Sequence, residues 1–197
     1  MTLSSKGLFQ RTGMAAAIAV CLALIPGSFL ANTSHAATAK EIDVSVDVAL
    51  KRFQNEIKGG KEFIKSAKGV LVFPRVYKAG FVIGGEYGEG ALRIGGKTVD
   101  YYNTVAGSWG LQIGAQKKTV ILAFMTAQAL KDFRNSSGWK AGVDGSVALV
   151  KVGAGEAIDS TNIKNPIVGF VFGQKGLMAN LTLEGSKFTK MDKSKLK

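Results

Sequence analysis

The chain has one cysteine and one histidine, Cys21 and His35, and both lie within its first 36 residues. From residue 37 onward there is no thiol, no imidazole and no means of forming a disulfide. That absence removes the usual nucleophile–base pairs from the rest of the chain and leaves only oxygen ligands for a metal. No acidic cluster has the spacing of a calcium loop. Neither a metal nor a cofactor is therefore expected, and the chain does not read as an enzyme. Long apolar runs are missing as well. Met14–Ile25 stops after twelve residues at Pro26, Gly27 and Ser28, short of the roughly 18 continuous residues that a membrane span requires.

What stands in place of a span is an export signal. Lys6 and Arg11 supply a positive start and Met14–Ile25 an apolar centre. Ser34 and Ala36 supply the small residues a signal peptidase reads. Residues 1–36 are expected to be removed, with a second cut site as late as Ala39. Cys21 follows Val20 and is followed by further apolar sequence, so it does not read as a lipidation site. The expected location is periplasmic or secreted, peripheral to a membrane. What remains, about 160 residues, is enough for one domain with a real core. That domain is expected over 40–188, with a basic tail over 189–197, and the lysine-rich stretch Lys187–Lys197 is expected to be frayed.

Charge is the strongest compositional signal. There are 26 Lys and Arg against 14 Asp and Glu. Without Lys6 and Arg11 the balance is 24 to 14, or +10. Outside the cytoplasm such an excess points to an anionic surface, whether phospholipid headgroups, lipopolysaccharide or another acidic polymer, and nucleic acid is not an expected partner.

Periodicity divides the chain into helical and extended parts. Ile42, Val46, Leu50, Phe53 and Ile57 recur at helical steps, and Gly59-Gly60 offers a stop. Phe63, Ile64 and Ala67 follow, interleaved with Lys61, Lys65 and Lys68. After Gly69 the period becomes two. Val70–Phe73 is expected to end at Pro74, and Gly84–Gly90 to be irregular and glycine-rich. Gly95-Gly96 reads as a turn. Strands are expected over Thr98–Val105, Leu111–Gln116, Val120–Met125 and Val147–Val152, with a short helix over Ala127–Arg134. Ile167–Gly173 and Leu177–Glu184 form a closing hairpin around Gln174-Lys175-Gly176. Such closely spaced strands favour antiparallel pairing. The expected fold is α+β: amphipathic helices near the mature N-terminus beside an antiparallel, glycine-rich sheet that can close into a barrel-like form.

Three constellations invite a chemical reading. Ala91-Leu92-Arg93-Ile94-Gly95-Gly96-Lys97-Thr98 approaches a phosphate-binding loop. However, strand-like Val99–Tyr102 follows where a helix is needed, so it reads as a hairpin turn. Glu86 and Glu89 read as carboxylates on a solvated turn rather than as an acid–base pair. Trp109 and Trp139 follow turns and read as caps on a core, with a membrane interface as the rival role. The best functional candidates are the cations of the N-terminal helical segment: Lys51, Arg52, Lys58, Lys61, Lys65 and Lys68. Two roles compete evenly for that segment. Either its apolar face enters a bilayer, or that face docks on the sheet and the lysines are its solvated side.

Ala67-Lys68-Gly69-Val70-Leu71-Val72, Lys78-Ala79-Gly80-Phe81, Trp109–Gln116, Val120–Phe124 and Gln174–Ser186 occur in order. Together they resemble the SYLF domain over residues 48–188. The resemblance implies a lipid-binding module without enzymatic activity. Relatives bind phosphoinositides through a basic amphipathic N-terminal segment, and some engage actin. Residues 98–106 lack the serine-proline pattern of eukaryotic members. For an exported chain the expected ligand is therefore generic anionic phospholipid or a membrane surface, and actin is not expected. The alternative is an envelope protein–protein interaction or structural module that binds no lipid directly.

Overall fold

A computed structural model describes residues 37–80, 83–109, 114–151, 158, 164–175 and 183–196. Helix α1 covers Ala39–Glu56 and α2 covers Gly60–Ser66. Four long strands follow, β1 Gly69–Gly80, β2 Ile83–Ile94, β3 Lys97–Trp109 and β4 Gly114–Phe124. Helix α3 spans Ala127–Asn135. The remaining strands are β5 Trp139–Lys140, β6 Ala148–Lys151, β7 Ile167–Lys175 and β8 Lys187–Lys190, before a single 3-10 turn over Lys193–Lys195. The fold is α+β, as expected.

The eight strands form one sheet in the order β5-β8-β3-β2-β1-β4-β7-β6. Every pairing is antiparallel except β6 with β7, which is parallel. That exception departs from the sequence expectation. The chain between β6 and β7 is long enough for a crossover, which a tight hairpin is not. β2 and β3 meet at Gly95-Gly96, where φ values of 57° and 79° suit glycine and close the hairpin. This is the turn read from the near-phosphate-loop sequence.

The sheet is curled into a half-barrel. Phe73 on β1 and Phe188 on β8 have ring centroids 5.5 Å apart, although β2 and β3 lie between their strands. On a flat sheet, three intervals of about 4.8 Å would hold them about 14 Å apart. The concave side is filled by Leu71, Phe73, Leu92, Tyr102, Leu122 and Phe124 with Phe133 of α3. Phe133 packs within 6.4 Å, centroid to centroid, of Tyr102, Phe124, Trp139 and Phe188. Trp139 is therefore a core residue, while the side chain of Trp109 lies outside those described. On the convex side, Ile42, Val46, Phe53 and Phe63 of α1 and α2 cover Val70, Val72, Ile121, Ala123 and Phe170. β4 is covered on both faces, as its continuous apolar run implied, and Val120–Phe124 are all buried.

Three expectations are corrected. β1 does not end at Pro74 but runs through it on a bulge, with register shifts toward both β2 and β4. Proline has no N–H to give the ladder, and a bulge removes the need for one. Gly84–Gly90 is not irregular, because it pairs on both sides within β2. The C-terminal segment is not frayed. Phe188 and Leu196 are buried, and the Met191 N–H donates to the Tyr101 carbonyl at 2.8 Å. The second arm of the expected closing hairpin, Leu177–Thr182, lies outside the described residues, as do 111–113 of the expected strand over Leu111–Gln116.

Candidate functional site

The N-terminal helices owe their placement to a cap and an apolar stripe. Thr38 Oγ1 accepts from the Glu41 N–H at 3.3 Å, while the Thr38 N–H donates to Glu41 Oε2 at 2.8 Å. This reciprocal capping box starts α1 and holds the Glu41 carboxyl below its ordinary pKa, through the backbone bond first. Ile42, Val46, Phe53 and Ile57 then sit against the sheet and are all buried. At about 1.5–3 kcal/mol per fully buried side chain, lifting this face off the sheet is costly. The apolar stripe is therefore core, and of the two roles the sequence left open, docking on the sheet is the one observed. Lys51, Arg52, Lys58, Lys61, Lys65 and Lys68 are all exposed.

The two flanks of α1 differ in charge. On one, Asp43 accepts from Thr98 Oγ1 at 2.6 Å and from the Tyr101 hydroxyl at 2.9 Å, and Asp47 meets Arg93 at 2.8 Å. Burial, then the bond to Asp43, pushes the Tyr101 pKa up to about 12. The acidic residues thus fasten α1 to β2 and β3. The other flank faces a groove of about 560 Å³ lined by Val44, Val48, Arg52, Arg75, Lys117 and Gly173, among others. Arg75 Nη2 donates to Ser45 Oγ at 2.5 Å. Arg52 Nε donates to Glu56 at 2.7 Å, and its guanidinium carbon lies 5.7 Å from the centre of the Phe172 ring.

Sequence reading found Arg52 but missed Arg75 and Lys117, because their convergence depends on the bulge at Pro74. Val70 and Val72 face the helices before the bulge. The extra residue reverses the alternation, so Arg75 and Tyr77 share that face after it. Tyr77, Tyr87 and Val105 are each about half exposed. They are successive register partners in a row Lys117–Tyr77–Tyr87–Val105–Lys187 across five strands.

Glu86, Glu89 and Asp100 are each engaged by partners. Glu86 and Glu89 are three residues apart on a strand and so point to opposite faces. Glu86 meets Lys118 at 2.6 Å on the concave side, whereas Glu89 accepts from the Tyr87 hydroxyl at 2.7 Å and the Ala37 N–H at 3.1 Å. They lie on a paired strand, not on the solvated turn expected. Asp100, buried, meets Lys190 at 2.8 Å, Arg134 at 3.3 Å and Lys193 at 3.7 Å. Among the described residues no group of His, Cys, Asp or Glu could hold a metal ion, and no helix is long and apolar enough to cross a membrane.

Residues 105–195 match the family model described as Ysc84: Las17-binding protein actin regulator. The match covers β4 through the 3-10 turn and the end of β3. No curated protein matches the chain.

Proposed function

We propose that this chain is a SYLF-family domain, a reading its match over residues 105–195 supports, and that it is an exported, non-enzymatic module that associates with anionic phospholipid. The observation that carries the reading is the division of labour in the N-terminal segment. Ile42, Val46, Phe53, Ile57 and Phe63 are committed to the core, while Lys51, Arg52, Lys58, Lys61, Lys65 and Lys68 all remain in solvent. Association then rests first on charge at the surface and not on insertion of the buried stripe, each cation that comes close to an anionic bilayer contributing up to about 1 kcal/mol. The leader-like start, with Lys6, Arg11 and the apolar run Met14–Ile25, supports the same reading, since an envelope offers anionic lipid in place of actin. The test is co-sedimentation of the purified protein with vesicles of phosphatidylglycerol and of phosphatidylcholine at low salt. Pelleting with the first alone is expected; equal or absent pelleting with both would sink the reading.

The family description, which speaks of a protein that binds Las17, favours a second reading in which an envelope protein is the partner. On that reading, affinity capture with this chain returns one stoichiometric protein, and Lys61→Glu with Lys65→Glu leaves the capture intact.

A further inference from the structure

Arg52 of α1, Arg75 of β1 and Lys117 of β4 converge on one groove whose lining contains no carboxylate. Glu56 engages Arg52 from α1; among the described residues, Arg75 and Lys117 meet no carboxylate at ion-pair distance. Gly173 makes room for the first of these cations. A Cβ there would come within 2.7 Å of Arg52 Nη1, and its φ of 67° is one that side chains rarely adopt. On the rim, Val44 and Val48 are 56% and 62% exposed. Lys117 also begins the row that continues through Tyr77, Tyr87 and Val105 to Lys187, about 19 Å across at the ordinary strand spacing.

We propose that this groove receives the phosphate of an anionic phospholipid seated in its membrane, with Val44, Val48, Tyr77 and Tyr87 entering the interface around it. The proposal deepens the lipid-binding reading and rests on it. Two guanidinium groups and one ammonium form a donor set suited to a phosphate monoanion. The groove's volume falls within the range of small-ligand sites, roughly 300–1,000 Å³. A soluble anion would need the cations alone. A lipid also accounts for the exposed valines and for tyrosines flanked by lysines, since tyrosine favours the membrane–water boundary with its ring in the apolar zone and its hydroxyl in water.

The experiment compares four proteins on phosphatidylglycerol vesicles: wild type, Arg75→Gln/Lys117→Gln, Lys61→Gln/Lys65→Gln, and Tyr77→Ser/Tyr87→Ser. Thermal melts confirm that each is folded. The groove pair is expected to lose roughly 25-fold in affinity, about fivefold for each cation. The α2 pair, which gives no bond to the bound phosphate, should lose less, and the tyrosine pair should lose affinity with no change in charge. Should Arg75→Gln loosen α1 through its lost bond to Ser45, Lys117→Gln alone still carries the test, with a fivefold loss expected. Wild-type affinity in the groove pair, or equal losses in both cation pairs, overturns the groove while leaving the lipid reading standing. A wild type that ignores the vesicles overturns both. If inorganic phosphate raises the melting temperature of wild type but not of the groove pair, and vesicles do not bind, the groove is a soluble-anion site and the membrane proposal is wrong.

Discussion

At the residue scale, exposure separates side chains that hold the fold from those free to meet a partner. Phe133 touches four aromatic rings on four different strands. Phe133→Ala should cost about 3–5 kcal/mol, read as a fall in the denaturant midpoint. Val48→Ser, at the groove rim, should stay within about 0.5 kcal/mol of wild type. Tyr102 presents the opposite case, because its buried hydroxyl has no hydrogen-bond partner among the described residues. Tyr102→Phe is expected to stabilise by about 1 kcal/mol by removing that cost; a lower melting temperature would show that the hydroxyl is satisfied. Burial, joined by Asp100, also pushes the Tyr102 pKa up to about 12, and burial with the bond to Glu89 does the same for Tyr87. These acids ionise later in the fold than in the unfolded chain. Between pH 10 and 12 the unfolded chain sheds protons that the fold retains, so stability is full below pH 10 and declines above it. Alkaline melts and tyrosinate absorbance check that window.

At the element scale, the capping box discriminates between the two expected leader cuts. A cut after residue 36 leaves Thr38 and Glu41 to start α1, whereas a cut after Ala39 would strip the N-cap and the first helical residue. On the proposed export, mass spectrometry of the mature protein is expected to find Ala37 first. Loss of this cap costs about 1 kcal/mol, so a chain beginning at Lys40 should melt lower. Much at this scale was legible in the sequence. The three- and four-residue steps from Ile42 to Ile57 specified α1 and the face it buries, and Gly95-Gly96 specified a turn. Three features were not. Pro74 usually ends a strand, and only pairing with β2 and β4 together shows that a bulge absorbs it. Gly84–Gly90 carries little side-chain pattern, so its strand character comes from its neighbours. The lysines of the C-terminal segment signal solvent, but Phe188 and Leu196 between them anchor the chain, and Asp100 binds Lys190 and Lys193.

At the scale of the whole molecule, several acidic side chains fasten the fold through ion pairs, while the cations of the N-terminal segment stay in solvent. Asp43 and Asp47 fasten α1 to Arg93, Asp100 fastens the C-terminal segment, and Glu86 sits against Lys118. With Lys6 and Arg11 set aside the formal balance is 24 to 14, or +10. The candidate site was only half legible in the sequence. The lysines of the N-terminal segment announce themselves in sequence, but the groove is assembled by register from residues as far apart as Arg52 and Lys117. A charge-driven encounter of this kind has a clear signature. Exposed charges are screened over roughly 10 Å at 0.1 M salt and over about 3 Å at 1 M. The most direct measurement is the fraction of wild-type protein bound to phosphatidylglycerol vesicles as salt rises over that range. Steep loss of binding, with no binding to phosphatidylcholine at any salt, is the predicted result. Binding that persists unchanged at high salt, or that does not distinguish the two lipids, would contradict it.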